Sequence, residues 1–273
     1  MYNENGDVML VNMKDILKSK TVFQFNINNL EWTKAILEEV NELKEPVILG
    51  TSENAIKYMG GYKVVSQIVK SLIEELKIKV PVVLHLDHGK NIESCKKALE
   101  AGFTSVMIDA SNYSLEENIK ITKQVVELAQ KYNASVEAEI GSINGSYTNI
   151  NDAFKIVWET KIDALAPAVG NIHGIYKKKP KINYELIKEI KNKTNVPLVL
   201  HGGSNLPDEI LKQLVESGIN KININTDLQI AWARGIKKYL KSNKKEYDPR
   251  KILEPGSEEI KKIVKNKIAI LPK

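Results

Sequence analysis

Residues 81–87 read Pro-Val-Val-Leu-His-Leu-Asp, an apolar run that ends on a carboxylate and is followed at once by His88 and Gly89. A run this short, rich in valine and leucine and lacking strict alternation, is the pattern of a strand covered on both faces, as in a parallel sheet. Seven other runs share the form: TVFQFNI (21–27), PVILGTS (46–52), SVMIDA (105–110), SVEAEIG (135–141), ALAPAVG (164–170), PLVLHGG (197–203) and INKININ (219–225). A helical pattern follows each, at 30–43, 64–76, 93–99, 115–132, 152–158, 184–190, 207–215 and 227–240, with Pro207 placed for a first turn. A last helix is predicted over 257–267, after the turn-like pairs Asp248-Pro249 and Pro255-Gly256. Eight β-then-α units in about 250 residues describe an α/β fold of the (β/α)8, or TIM, barrel type. A doubly wound sheet shares the alternation, but no G-x-G-x-x-G follows the first strand, which weakens a dinucleotide-binding reading. No repeat or linker interrupts the pattern, so the reading is one domain over residues 1–273, with a C-terminal helical extension over 245–273.

Composition narrows the function. The chain has 273 residues and one cysteine, Cys95, which cannot close an internal disulfide; a disulfide-stapled secreted scaffold is excluded. With 42% hydrophobic residues, wholesale disorder is excluded too. No stretch approaches the ~20 apolar residues of a membrane span. The first fifteen residues carry acids and no apolar run, unlike a signal peptide, so a cytoplasmic protein without membrane contact is expected. The net charge is +6, yet the lysines are scattered and paired with glutamates, as in IEELK and IKEIK. The main basic cluster, Lys177 to Lys181, is short and has no interleaved aromatics, so no nucleic-acid partner is expected. A positive field favours anionic, phosphorylated substrates.

In such barrels chemistry sits at the C-terminal ends of the strands. The chain has four histidines, His85, His88, His173 and His201, and all fall at or just after predicted strands 3, 6 and 7. Three imidazoles from different strands make a catalytic Zn2+ site with an open position, and His88, His173 and His201 are the expected ligands. His85 shares a strand face with Asp87, and either orients the site or packs. Asp87 ends an apolar strand, where a carboxylate is costly without a partner or a task; it is the candidate acid/base beside the metal. Asp109, Glu137 and Glu139 end strands 4 and 5 in the same way and read as partners of the ligands or as alternative ligands. After strand 7 comes His201-Gly202-Gly203-Ser204, and after strand 8 Asn223-Ile224-Asn225-Thr226-Asp227. These loops are the usual barrel phosphate site, where glycines and a helix start present N–H groups to an anion. Metal, phosphate site and carboxylate together suggest chemistry next to a carbonyl on a phosphorylated sugar, through an enediolate. A Schiff-base lysine is the rival, but no strand end carries one; Lys221 lies inside strand 8 and reads as barrel packing.

From about Val11 onward the chain resembles class II, metal-dependent fructose-bisphosphate aldolases, especially the shorter group that includes tagatose-bisphosphate aldolases. The resemblance rests on QFNINNLEW (24–32), HLDHG (85–89), AGFTSVMIDAS (101–111), SVEAEIG (135–141), LAPAVGNIHGIYK (165–177), PLVLHGGS (197–204), KININTD (221–227) and YDPRK (247–251). It implies zinc on His88, His173 and His201, with Asp87 taking the C4 hydroxyl proton during cleavage and returning it during condensation. It implies that Asn26, Ser52, Gly174, Gly202, Gly203, Ser204, Asn223, Ile224, Asn225 and Thr226 hold the dihydroxyacetone phosphate half. Arg250 would reach a neighbouring subunit and bind the far phosphate, which implies a homodimer or homotetramer. A monovalent cation, Na+ or K+, is usual near the phosphate loop. The implied reaction is reversible cleavage of fructose 1,6-bisphosphate to dihydroxyacetone phosphate and glyceraldehyde 3-phosphate, a step of glycolysis and gluconeogenesis.

One departure stands out. The family carries a mobile G-x-E-D loop whose glutamate protonates the enediolate carbon. Here the stretch is Gly145-Ser146-Tyr147-Thr148, with Tyr147 in the place of the glutamate. The segment from Gly145 to Asp163 is shorter than the family's by roughly a dozen residues, which leaves room for a small loop only. Phenols titrate near pH 10 and carboxylates near 4, so a tyrosine there is a poor base but a possible proton donor. Glu137, Asp152 and water are the other candidates. Tagatose 1,6-bisphosphate, another ketose phosphate, and a non-catalytic zinc- and sugar-phosphate-binding paralogue are the alternative readings.

Overall fold

A computed structural model describes residues 10–18, 20–176 and 180–272, so Lys177–Lys179 of the basic cluster lie outside it. Eight strands form a closed, all-parallel barrel in chain order: β1 (Val22–Asn26), β2 (Val47–Ser52), β3 (Val82–Gly89), β4 (Ser105–Ile108), β5 (Ser135–Ile140), β6 (Ala164–Pro167), β7 (Leu198–Leu200) and β8 (Ile219–Ile224). β8 closes on β1, with Lys221 opposite Val22 and Asn223 opposite Gln24. Each of the eight runs read as strands is a strand of this barrel.

The crossover helices start where short polar side chains accept the first free N–H groups. α2 (Leu30–Leu43), α5 (Ile92–Glu100), α6 (Leu115–Gln130), α7 (Ile150–Thr160) and α8 (Tyr184–Thr194) are capped by Asn29, Asn91, Ser114, Asn149 and Asn183. α4 (Tyr62–Glu75), α9 (Asp208–Glu216) and α10 (Thr226–Ser242) complete the ring, α9 entered through Pro207. Two short helices were not read from the sequence. α1 (Met13–Leu17) precedes the barrel, and α3 (Glu53–Met59) starts directly from β2 with Ser52 as its cap.

The barrel interior changes character along its axis. At the N-terminal end, Val22, Ile48, Val83, Ala164, Ala166 and Val199 meet Met13, Ile16 and Leu17, so α1 plugs that mouth. Higher up the same strand faces come Gln24, His85, Glu137 and Lys221, and two residues further Asn26, Asp87, Glu139 and Asn223. The larger apolar core lies outside the strands, beneath the helices.

The last helix departs from expectation. α11 runs unbroken from Pro249 to Ile268, with Asp248 as its cap and Pro255 inside it, where a turn was predicted. Packing explains the difference. α11 lies against α10 and α2, and a Cβ on Gly256 would meet the Trp232 ring at 2.6 Å, so the glycine lets the helices touch. Trp32 of α2 joins the seam, its ring 5.8 Å from that of Trp232. Among the described residues no helix is long and apolar enough to cross a membrane.

Candidate active site

Asp87 and His88 are neighbours on β3, and regular alternation would send them to opposite faces. The β3–β4 register shifts between Leu86 and Gly89, and His88 has φ +51°. This irregularity turns both side chains into the barrel mouth, a strained conformation of the sort found at functional sites. Asp87 Oδ2 accepts from Asn26 Nδ2 at 2.8 Å, and Oδ1 from Asn223 Nδ2 at 3.3 Å. His88 Nε2 lies 2.9 Å from His201 Nδ1, and its other nitrogen, Nδ1, lies 2.9 Å from Asp109 Oδ2.

His201 follows β7 directly and is buried, whereas His173 stands exposed on the loop after β6. The two loops are tied together. Asn171 Nδ2 donates to the His201 carbonyl at 2.9 Å, and Tyr176 Oη donates to the Gly202 carbonyl at 3.1 Å. Gly202 has φ +72°, and a Cβ there would meet the Ile172 carbonyl oxygen at 1.9 Å, so only glycine fits. The three rings end up with centroids 4.6 to 5.7 Å apart, each offering a nitrogen within 4.8 Å of the others. His88 also belongs to a second group of possible ligands, with Asp109 and Glu139.

The electrostatics separate these groups. Burial works against the charged form of Asp87, but His88, His201, Lys221 and His85 outweigh it and hold the carboxyl well below the usual range. His173, exposed as a residue, has its ring partly desolvated in the barrel mouth, and this together with His201 and His88 lowers it to about 4; burial lowers His201 as well. Burial also opposes charge on His88, yet the Asp109 bond and the charges of Asp87 and Glu139 raise it to about 9. Glu139 goes up to about 8 through burial and the neighbouring Asp109. Asp109 falls to about 2, its bonds to His88 and Ser111 prevailing over burial.

The expected phosphate loops lie beside the histidines. Ser204 Oγ accepts from the N–H groups of Asn225 at 3.1 Å and Asp227 at 3.3 Å, and the Gly203 N–H donates to the Asn223 carbonyl at 3.1 Å. Thr226 opens α10, while Ile224 points into the outer apolar core and has only its backbone to offer. Ser52, opposite Asp87 in the β2–β3 register, spends its hydroxyl on the Ala55 N–H. Gly174 has φ +85° and faces open space. Arg250 is not brought to the histidines. Its guanidinium bonds Asp248, and it lines a separate groove with Leu30, Lys34 and Glu254.

The sequence profile described as fructose-bisphosphate aldolase class-II matches residues 11–273. The chain belongs to the class-II fructose-bisphosphate aldolase family. Fructose-bisphosphate aldolase of Geobacillus stearothermophilus is 47% identical over 95% of this chain and 96% of its own. The 6-phospho-5-dehydro-2-deoxy-D-gluconate aldolase of Halalkalibacterium halodurans is 44% identical over 95% of both. Among solved structures, the YdjI aldolase from Escherichia coli K12 superposes with a TM-score of 0.85 at 31% identity, over 96% of this chain and 97% of that one.

The connection between β5 and α7 is short. It consists of residues 141–149 alone and contains no carboxylate. It is tied down at three points. Tyr147 Oη donates to the Lys181 carbonyl at 2.8 Å, Thr148 Oγ1 to the Ile140 carbonyl at 2.8 Å, and Ser146 Oγ to the Ser142 carbonyl at 2.6 Å. The phenol is therefore already engaged. Sequence reasoning also undervalued Lys221, which pairs with buried Glu137 at 2.7 Å instead of merely packing. The signal was its place two residues before Asn223, on the same face of β8.

Proposed function

We propose that this chain is a zinc-dependent aldolase that reversibly cleaves fructose 1,6-bisphosphate to dihydroxyacetone phosphate and glyceraldehyde 3-phosphate. The observation that carries this reading is the convergence of His88, His173 and His201 beside Asp87. The donor set fits the metal: nitrogens on one tetrahedral zinc stand about 3.3 Å apart, and three imidazoles leave a position open. His88 Nε2 and His201 Nδ1, at 2.9 Å, are near that spacing. Bound there, zinc would polarise the substrate carbonyl.

The protein's own groups do the rest. Asp87, held ionised and aimed by Asn26 and Asn223, takes the C4 hydroxyl proton in cleavage and returns it in condensation. Asn26, Ser52, Gly174, Gly202–Ser204 and Asn223–Thr226 hold the dihydroxyacetone phosphate half, with Na+ or K+ near the phosphate. Support comes from Ser204, whose hydroxyl is tied to the start of α10 by the N–H groups of Asn225 and Asp227, which brings the two loops together beside the histidines. Arg250, free of the site of its own chain, binds the far phosphate of a neighbouring subunit in a homodimer or homotetramer. Asp109 and Glu139 orient His88 or share the metal. The substrate fits a cytoplasmic enzyme of glycolysis and gluconeogenesis.

A second reading keeps the mechanism and changes the sugar to tagatose 1,6-bisphosphate or another ketose phosphate. It is favoured by a 44% identical relative that is named for a different phosphorylated substrate. Retention of Asp87 with both its asparagine partners argues against a non-catalytic paralogue. The test runs both bisphosphates in parallel with zinc-loaded protein, scoring dihydroxyacetone phosphate. Turnover of fructose 1,6-bisphosphate is expected; turnover of tagatose 1,6-bisphosphate alone would transfer the assignment, and turnover of neither would overturn it.

A further inference from the structure

Lys221 has no solvent access, and its Nζ donates to Glu137 Oε2 at 2.7 Å. Glu137 is equally buried, and its other oxygen, Oε1, lies 2.8 Å from His201 Nε2. The opposite nitrogen of that ring, Nδ1, is the one that faces His88. Three strands thus contribute one unbroken chain, from β8 through β5 to the histidine after β7. The neighbouring polar groups do not compete for its links. His85 Nε2 is 3.7 Å from Glu137 Oε2, beyond a hydrogen bond, while its Nδ1 is taken by Ser105 Oγ at 2.7 Å. Asn223 Nδ2 stands 3.5 Å from His201 Nε2, much further than the carboxylate.

A carboxylate can only accept, so the proton of this contact resides on His201 Nε2 and the lone pair on Nδ1. The carboxylate can keep that role inside the barrel only with a cation against it, because a lone buried charge is strongly disfavoured. The geometry points to Lys221 as a positioning residue: its ammonium anchors Glu137, which orients the His201 ring so that Nδ1 is presented to the metal. The inference rests on the zinc reading above. It gives a second task to a lysine whose charge already helps to keep Asp87 ionised.

The substitution Lys221→Met keeps most of the side-chain volume and removes the cation. Glu137→Gln keeps an oxygen acceptor for Nε2–H and needs no cation. Zinc affinity, read by competition with a fluorescent chelator, and the melting temperature of metal-free protein are measured for wild type, His201→Ala, Lys221→Met and Lys221→Met/Glu137→Gln. We expect Lys221→Met to weaken zinc binding by about 10- to 100-fold, the usual effect of losing a group that orients a ligand. The double variant should regain most of that affinity. Should Lys221→Met not fold, the double variant decides alone, and near-wild-type affinity in it is the expected result. Zinc affinity unchanged in Lys221→Met, or a double variant that binds as weakly as the single one, would overturn the inference and leave Lys221 a packing residue. Equal zinc binding by wild type and His201→Ala would be a different failure, that of the zinc site itself.

Discussion

His88 is held from both edges of its ring: Nδ1 lies 2.9 Å from Asp109 Oδ2, and Nε2 lies 2.9 Å from His201 Nδ1. The Asp109 bond and the nearby carboxylates raise His88 to about 9 in the metal-free protein, against the effect of burial. Zinc needs the neutral ring, so binding at pH 7.5 must expel a proton from His88. The sign follows. Zinc affinity rises about tenfold per pH unit up to the region of pH 9 and then levels off. Calorimetric zinc titrations at pH 7.5 in buffers of different ionisation enthalpy should show about one proton released per site. Heats independent of the buffer would contradict this account of His88.

Asp87 makes its two hydrogen bonds to asparagines, at 2.8 and 3.3 Å, and neither partner is a histidine of the triad. Asp87→Ala should therefore lower kcat by about 10²- to 10⁴-fold, the range for loss of a general base, with zinc content unchanged. Metal analysis alongside steady-state kinetics checks both halves. Loss of the metal would make Asp87 structural.

The absence of a carboxylate from residues 141–149 should slow proton transfer at carbon rather than bond cleavage. Solvent isotope exchange into the C1 position of dihydroxyacetone phosphate, followed by NMR, is expected to lag an aldolase that keeps the loop glutamate by about 10²-fold or more. Tyr147→Phe should not change this rate, because Tyr147 Oη is engaged with the Lys181 carbonyl. Exchange as fast as in the loop-intact enzyme would refute the slowing, and its loss in Tyr147→Phe would make the phenol the donor.

Arg250 is 89% exposed at its side chain and, among the described residues, its guanidinium bonds Asp248 alone, an exposed pair that contributes little to stability. Arg250→Ala should leave the melting temperature unchanged and raise KM for the bisphosphate by roughly 10- to 100-fold, the worth of charge-assisted bonds to a phosphate. An unchanged KM would remove Arg250 from the substrate site.

Much of this architecture was legible in the sequence because buried parallel strands write themselves as apolar runs, and a carboxylate or imidazole at the end of such a run is conspicuous. Asp87, His88 and His201 were found in that way. Short local structure was less legible. The five residues of α1 are too few to show a period, and their burial comes from the barrel mouth that they plug. α3 hides behind Ser52, whose hydroxyl serves as a cap, and the Pro255-Gly256 pair reads as a turn until the Trp232 ring packs against the glycine. Lys221 and Glu137 are 84 positions apart, so their pairing depends on barrel closure. His85, left open between orienting the site and packing, bonds Ser105 and does not reach Asp87.

The central claim is that metal on three histidines, with Asp87 beside it, cleaves a ketose bisphosphate. The most direct test strips the purified protein with a chelator, confirms the loss of metal, and follows fructose 1,6-bisphosphate cleavage before and after zinc is restored. The account predicts no turnover in the stripped protein and recovery with one zinc per chain. Turnover that persists without metal, or none after zinc is bound again, would contradict it.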